Sequence, residues 1–183
     1  VTALRPADQL RKIACVGQCL PGTYIKVLDD SGGEVTVNTV GELAVASPYC
    51  FSGYHNMPEA TEKARRGDWF ITGDLARVDD EGYLYIVDRK NDMIITGGEN
   101  VYPREVEEVL LAHAAVRECA VVGAPHAYWG EAITAFVVVR EGMMVTLEDL
   151  EASCRVALAR YKVPKDFRMV DVLPRNSMGK ILR

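Results

Sequence analysis

Three short stretches of the sequence carry residues that could do chemistry. Asp74 ends GDWFITGD (67–74), as the last residue of a Thr-Gly-Asp that follows an apolar run. Its carboxylate can form an Asx turn, which the local sequence favours. Alternatively, it can accept hydrogen bonds from the two hydroxyls of a ribose, the role that acidic residues have in other nucleotide sites. The local pattern leaves both interpretations open.

Two adjacent glycines, Gly97 and Gly98, lie in TGGENVYP. They either form a tight turn or let a ligand chain pass close to the backbone amides, because only glycine leaves that space open. Lys180 follows Gly179 in the last stretch, RNSMGKILR. This is not a phosphate-binding P-loop, since the upstream glycine and the following Ser or Thr are absent. Taken alone, Lys180 is typical of a surface lysine, although a loop of this kind can deliver its side chain to a site elsewhere.

Composition and charge narrow the class of protein. The chain has 183 residues, 49% of them hydrophobic, and a formal net charge of −5. The length and apolar content are enough for a buried core, and the acidic balance argues against a nucleic-acid partner. Residues 161–183 are locally basic, with six Lys or Arg against two Asp. This strip is either a solvated surface or a surface that attracts an anionic ligand such as a nucleotide.

The cysteines and histidines predict no disulfide framework and no metal site. The five cysteines contain no CxxC pair, and the three histidines lack a ligand-like spacing. Reduced thiols indicate a cytoplasmic protein. No apolar run approaches the length of a membrane span, and the first residues lack the basic-then-apolar layout of a signal peptide. Because the chain starts without Met, we expect it to be a piece of a longer protein.

The elements that position these residues change in type near residue 88. Before it, TYIKVLDD, GELAVAS and EGYLYIVD indicate short strands with turns, and PEATEKARR a short helix beginning at Pro58. After it, the pattern predicts helix, strand, strand, helix, strand, with Thr146 and Asp149 as a capping box of the second helix. The predicted fold class is α+β, with a β-rich part over 1–88 and a small α+β domain over 89–183.

Together the motifs resemble those of the adenylate-forming enzymes, specifically the acyl-CoA synthetase branch. The resemblance is carried by GDWFITGDLARVDDEGYLYIVDRKNDMIITGGENVYPREVEEVL and VPKDFRMVDVLPRNSMGKILR, with SGYHNMPEATEKA just upstream, and it runs along essentially the whole chain. It implies that residues 1–88 are the end of a truncated large AMP-binding domain. Residues 89–183 would then be the complete small, mobile C-terminal domain.

The resemblance implies two half-reactions. A carboxylate and ATP give acyl-adenylate and pyrophosphate, and the thiol of CoA then displaces AMP. The phosphate-binding loop and the Thr-Glu motif that positions Mg²⁺ and ATP are expected upstream of Val1. The 183 residues alone are therefore expected to be inactive.

The resemblance also implies roles for individual residues in the adenylation step. Asp74 matches the aspartate that holds the ribose hydroxyls, Arg89 an arginine that contacts the nucleotide's ribose, and Ile86 a side chain that lines the nucleotide pocket. Lys180 matches the adenylation lysine, which bridges the substrate carboxylate and the phosphate region. Asn91 lies at the hinge of the mobile domain, where the family commonly has Asp or Lys.

For the thioester step, Gly97 and Gly98 match the loop that flanks the pantetheine channel. Trp129 and Tyr161 align with aromatic positions that hold the CoA adenine in some members, although partly buried core aromatics explain them equally well.

The predicted function is a fatty-acid–CoA ligase, with aryl acids as the next substrate class and peripheral membrane contact compatible with either. An adenylation domain that loads a carrier-protein thiol, and a non-catalytic nucleotide- or CoA-binding module, remain alternatives.

Overall fold

The computed structural model describes residues 1–183 and divides them into two compact units, Val1–Asn91 and Asp92–Arg183. Both units mix strands with short helices, so the α+β fold class is confirmed. Arg89, Lys90 and Asn91, which the sequence analysis placed in the second domain, lie in the first unit. No helix reaches the length and apolar character that crossing a membrane requires.

The first unit contains a two-stranded antiparallel sheet, formed by the first two strands of the chain, and a five-stranded antiparallel sheet formed by the next five. The long strand β6 pairs with β4 along one edge, and with β5 and β7. Leu43, Val45, Ala76 and Leu84 form its buried core, with Ile86 packed against them. The elements are β1 (Thr2–Ala3), β2 (Gln18–Cys19), β3 (Tyr24–Leu28), β4 (Gly41–Ala46), α1 (Pro58–Lys63), β5 (Arg65–Arg66), β6 (Trp69–Val78) and β7 (Leu84–Arg89).

A buried carboxylate fixes the turn between β6 and β7. Asp79 is 7% exposed, and its Oδ1 accepts the backbone N–H groups of Glu81 and Tyr83 at 3.0 and 2.9 Å. Lys12 Nζ lies 2.6 Å from Oδ2, and the Tyr85 hydroxyl donates to the same oxygen at 3.3 Å. Burial opposes ionisation, but the hydrogen bonds from Lys12 and the backbone outweigh it and lower the pKa of Asp79 to about 2.

The second unit places two helices against one sheet. β11 pairs with β10 and β8 in the antiparallel sense and with β12 in parallel. Buried side chains of both helices, Val106, Leu110, Leu150 and Cys154, share one core with those of the strands. The elements are β8 (Ile94–Thr96), β9 (Glu99–Val101), α2 (Pro103–Leu111), β10 (Val116–His126), β11 (Gly130–Val139), α3 (Leu147–Ala157) and β12 (Asp166–Met169).

The capping box predicted for α3 is confirmed. Thr146 Oγ1 accepts the Asp149 N–H at 3.1 Å, and Asp149 Oδ2 accepts the Thr146 N–H at 3.3 Å. Leu150 and Cys154 are fully buried, whereas Leu147 is 42% exposed because it lies in the first turn, beyond the packed face.

The Asp79 turn predicts a specific acid sensitivity. The pKa of Asp79 is about 2 in the fold, against an ordinary 3.8, so its contribution to stability is complete above pH 4 and is lost as the pH falls towards 2. We expect Asp79→Asn to lower stability at pH 7 and to reduce the further loss between pH 4 and 2, measured by urea unfolding. Asp80→Asn, an exposed neighbour, is the matched control. An unchanged acid loss in Asp79→Asn would contradict this role.

Candidate functional site

Asp74 lies within β6 and not at the end of a strand, in a bulge of the sheet. Leu43 of β4 faces three residues of β6, because Glu42 pairs with Leu75 and Ala44 with Ile71. The bulge is closed by a threonine. Thr72 Oγ1 donates to the Leu43 carbonyl at 3.0 Å and accepts the Asp74 N–H at 3.0 Å. The Asx-turn interpretation of Asp74 is therefore wrong, since the local bond is made by the Thr72 hydroxyl and the Asp74 carboxylate accepts no backbone N–H.

The Asp74 carboxylate faces Arg89 across the strand pair. The two residues are directly opposite in the register of β6 and β7, and Arg89 Nε lies 2.9 Å from Asp74 Oδ1. The side chains are 28% exposed for Asp74 and 62% for Arg89. A second bulge lies here, because Val87 has no partner between the pairs Leu75–Asp88 and Ala76–Ile86. Bulges of this kind turn side chains out of the usual strand alternation and are frequent beside active sites.

This arrangement can bind a hydroxylated ligand. Arg89 approaches Oδ1 of Asp74, and no group of the chain donates a hydrogen bond to Oδ2, so this oxygen can accept hydrogen bonds from outside. Arg89 retains guanidinium N–H groups that can donate to the same ligand. Ile86 stands three residues before Arg89 on β7, opposite Ala76, and is half-buried against the core. The structure therefore brings Asp74 and Arg89 into contact and places Ile86 on the same pair of strands.

Gly97 and Gly98 are the two loop residues of the β8–β9 hairpin. Their φ angles are +59° and +86°, and a two-residue hairpin loop of this kind needs φ above zero at both positions. The space beside Gly97 is filled. Its N–H donates to the Trp129 carbonyl at 2.9 Å, and a Cβ there would lie 3.0 Å from the Trp129 ring. Beside Gly98 nothing lies within 4 Å. The tight turn is thus observed, and only Gly98 offers open space.

The two aromatic candidates do not form one cluster. Trp129 is 38% exposed and makes an edge contact with Tyr128, at 4.6 Å between ring centroids. Lys165 Nζ lies 5.7 Å from the centre of the Trp129 ring. Tyr161 is 41% exposed in a short 3-10 helix and makes no ring contact with Trp129. The structure therefore joins Trp129 to the glycine hairpin and leaves Tyr161 apart from that ring. Both side chains are too exposed to be core aromatics.

Lys180 projects from a closed loop after β12. Asn176 Oδ1 accepts the N–H groups of Met178 and Lys180 at 3.0 Å each, and the Asn176 N–H donates to the Lys180 carbonyl at 2.9 Å. Gly179 has a φ of +80°, which this tight closure requires. The Lys180 side chain is exposed, and no group of the chain pairs with its ammonium. The backbone of the loop is thus ordered while its cation is free.

Most of the basic strip over residues 161–183 is neutralised. The structure pairs four of its six cations with carboxylates at 2.7 Å: Lys162 with Glu105, Arg168 with Asp166, Arg175 with Glu118, and Arg183 with Asp92 and Glu107. Lys165 and Lys180 keep no acidic partner. Counting charges could not find this, because only Asp166 among these carboxylates lies near its partner in sequence.

Asn91 is the last residue of the first unit and is exposed within the 3-10 helix Lys90–Asp92. Both of its neighbours are held by ion pairs. Lys90 Nζ lies 3.1 Å from Asp30 and 3.0 Å from Glu42. In the second unit, Asp92 accepts from Arg183 at 2.7 Å.

The sequence matches two models of one family. Residues 1–55 match the AMP-binding enzyme model, and residues 105–180 match the AMP-binding enzyme C-terminal domain. The chain therefore belongs to the AMP-binding enzyme family.

Two relatives and one solved structure of the family were compared with the chain in sequence and fold. The chain is 43% identical, over its whole length, to 2-succinylbenzoate–CoA ligase of Geobacillus sp. (strain WCH70), covering 37% of that protein. It is 43% identical over 94% of its length to long-chain-fatty-acid–CoA ligase of Bacillus subtilis (strain 168), covering 31% of it. The structure superposes with a TM-score of 0.94 on o-succinylbenzoate CoA synthetase of Bacillus subtilis in complex with the acyl-adenylate intermediate OSB-AMP. There the identity is 40%, over 98% of this chain and 37% of the other. The chain thus spans about a third of the length of the relatives it matches.

The glycine hairpin predicts unequal costs for two neighbouring substitutions. Gly97→Ala and Gly98→Ala each force alanine into a left-handed conformation, at about 1–2 kcal/mol. Gly97→Ala also drives a methyl group to 3.0 Å from the Trp129 ring. We expect Gly97→Ala to lower the free energy of unfolding more than Gly98→Ala does, measured by urea unfolding, and to change the Trp129 fluorescence. Equal losses in the two variants would contradict the contact.

Proposed function

We propose that the chain is the C-terminal part of an AMP-forming carboxylate–CoA ligase. The observation that carries the proposal is Lys180, a free cation on an ordered loop at the end of the region matching the AMP-binding enzyme C-terminal domain. The structure sets this residue apart from its neighbours, since ion pairs hold most of the basic strip. A cation without a protein partner can bind a developing negative charge without first breaking an ion pair.

In the first half-reaction, an oxygen of the substrate carboxylate attacks the α-phosphorus of ATP. The bond to pyrophosphate breaks and an acyl-adenylate forms. Oδ2 of Asp74 accepts hydrogen bonds from the ribose hydroxyls, Arg89 donates to the same nucleotide, and Ile86 lines its pocket. The Lys180 ammonium neutralises the charge shared by the carboxylate and the phosphate in the transition state. Such a contact accelerates the reaction because it is strongest when that charge is greatest.

In the second half-reaction, the CoA thiolate attacks the acyl carbon and AMP leaves. The second domain rotates about a hinge at Asn91, which withdraws Lys180 and presents the β8–β9 hairpin. The open side of Gly98 accommodates the pantetheine arm, and Trp129 and Tyr161 offer exposed rings for the CoA adenine. The resemblance assigns the Mg²⁺ ligands to the Thr-Glu motif, which is expected outside these 183 residues.

The acyl group is a fatty acid or an aryl acid. The two curated relatives with equal identity are named for 2-succinylbenzoate and for long-chain fatty acids, and this balance removes the preference for fatty acids. A thioester-formation screen of the full-length protein over both acid classes separates the two. Formation of a thioester on a carrier protein in place of CoA would favour the carrier-loading alternative.

Replacing Lys180 separates the two half-reactions. In the full-length protein we expect Lys180→Ala to lower carboxylate-dependent ATP–pyrophosphate exchange at least about 100-fold, because a lost transition-state contact of this kind costs about 3 kcal/mol. Thioester formation from supplied acyl-adenylate is expected to remain. Lys63→Ala, which removes an exposed lysine at the end of α1, is the control. Equal loss of both steps in Lys180→Ala would contradict the role.

The 183-residue chain is expected to catalyse no carboxylate-dependent ATP–pyrophosphate exchange. The chain spans about a third of the length of its ligase relatives, and the phosphate-binding loop and the Thr-Glu motif that the resemblance implies for ATP and Mg²⁺ are expected outside it. Exchange is measured with labelled pyrophosphate, with the full-length protein as the positive control. Clear exchange by the chain alone would overturn this expectation.

A further inference from the structure

Glu107 of α2 is a buried carboxylate that the proposed reaction does not use. It is 8% exposed, and its Oε1 accepts the Val121 N–H of β10 at 2.9 Å. Arg183 Nη2 lies 2.8 Å from Oε1 and 2.7 Å from Oε2. Because a buried charge is costly unless it is paired and hydrogen-bonded, Glu107 requires this guanidinium. Burial opposes the charge of Arg183, but its hydrogen bond to Asp92 and its pairing with Glu107 outweigh burial and raise the pKa of Arg183.

The other arm of the same guanidinium reaches a second carboxylate. Arg183 Nη1 lies 2.7 Å from Asp92 Oδ2. Asp92 is the first residue of the second unit and directly follows Asn91. The planar guanidinium of Arg183 thus joins Glu107 of α2 to Asp92, the first residue of the second unit. Lysine cannot reproduce this geometry, because its ammonium is a single point charge.

Lys180 lies three residues before Arg183 in the same loop, which is also held at its beginning. Arg175 Nη2 lies 2.7 Å from Glu118 Oε2 of β10, and Arg175 Nη1 donates to the Gly179 carbonyl at 2.7 Å. Between the two arginines, Ile181 pairs with Arg175 in an isolated bridge and packs beside a small buried cluster of the sheet. The loop is therefore fixed on both sides of Lys180, whose ammonium is left free.

We propose that Arg183 is the positioning residue of Lys180: its fork across Glu107 and Asp92 fixes the 174–183 loop so that the lysine moves with the unit as a rigid body. The inference rests on the proposed function, in which Lys180 meets a transition state. A flexible lysine on a flexible loop would lose most of that contact, since a misplacement of about 1 Å can cost about 100-fold in rate. The fork removes the mobility of the loop and leaves only that of the side chain.

The test compares variants of the full-length protein in the two half-reactions. We expect Arg183→Gln to lower kcat of adenylation about 10- to 100-fold, with KM for ATP little changed, and to leave thioester formation from supplied acyl-adenylate near its original rate. Arg183→Lys, which keeps a charge for Glu107 but lacks the fork, is expected to fold normally and still lose adenylation. Arg168→Gln breaks an exposed ion pair at 2.7 Å on β12 and is the matched control, with no change expected.

Two further measurements keep the outcome decisive. Asp92→Asn removes one arm and leaves Glu107 paired, so it loosens the loop without leaving a buried charge alone, and we expect a smaller loss of adenylation. Hydrogen exchange of the full-length protein is expected to rise in residues 174–183, and not in α3, when Arg183→Lys is introduced. Equal loss of both half-reactions, or unchanged adenylation in folded Arg183 variants, would overturn the inference.

Different results would contradict the proposed function and the positioning role of Arg183. If Lys180→Ala retains adenylation, the proposed role of Lys180 is wrong, whatever the exchange of the loop. If Lys180→Ala abolishes adenylation while Arg183→Lys and Asp92→Asn retain it, only the positioning role of Arg183 is wrong.

Discussion

A buried carboxylate must have a cation and hydrogen bonds, and this constraint organises both units. In the first unit Asp79 binds Lys12 and two backbone amides, which fixes the turn joining β6 to β7. That turn and the bulge at Val87 together set the register in which Asp74 faces Arg89. In the second unit Glu107 binds Arg183 and the Val121 amide, which ties α2, β10 and the final loop together. In both units a buried carboxylate that is paired and hydrogen-bonded, Asp79 or Glu107, fixes a backbone segment that is continuous with candidate residues.

The candidate residues themselves show the opposite pattern, because they keep polar atoms that the chain does not use. Oδ2 of Asp74 receives no hydrogen bond from the chain, and Lys180 has no acidic partner although Lys162, Arg168, Arg175 and Arg183 are all ion-paired. Because four of its six cations are ion-paired, the basic strip over residues 161–183 is not a uniformly positive surface. Its overall charge is largely cancelled by nearby carboxylates, so any attraction for an anion is concentrated at the few cations left over. A local electrostatic focus of this kind is more specific than a uniformly positive surface.

How far the sequence predicts the structure follows from the range of the interactions involved. The start of α2 at Pro103 and the capping box of Thr146 and Asp149 depend on neighbouring residues, and both were predictable. The three-residue strands around Gly97 and Gly98 are too short to show a period, and the contact with Trp129 joins residues that are distant in sequence. The Asx interpretation of Asp74 failed because Thr72 and a bulge against β4 determine its surroundings. The site roles were available only from resemblance to a family, and the Arg183 fork was not visible at all, since its carboxylates lie 76 and 91 positions away.

The ion pairs of Lys90 and Asp92 explain why the proposed hinge residue between them, Asn91, can be uncharged. Lys90 is tied to Asp30 and Glu42 within the first unit, and Asp92 to Arg183 within the second. Each flanking side chain is therefore anchored in its own unit, and in the proposed rotation the backbone dihedrals at Asn91, between the two anchored residues, absorb the change. Asparagine adopts unusual φ and ψ values more readily than most residues. In this arrangement the charges beside the hinge belong to Lys90 and Asp92, and Asn91 itself has only to turn.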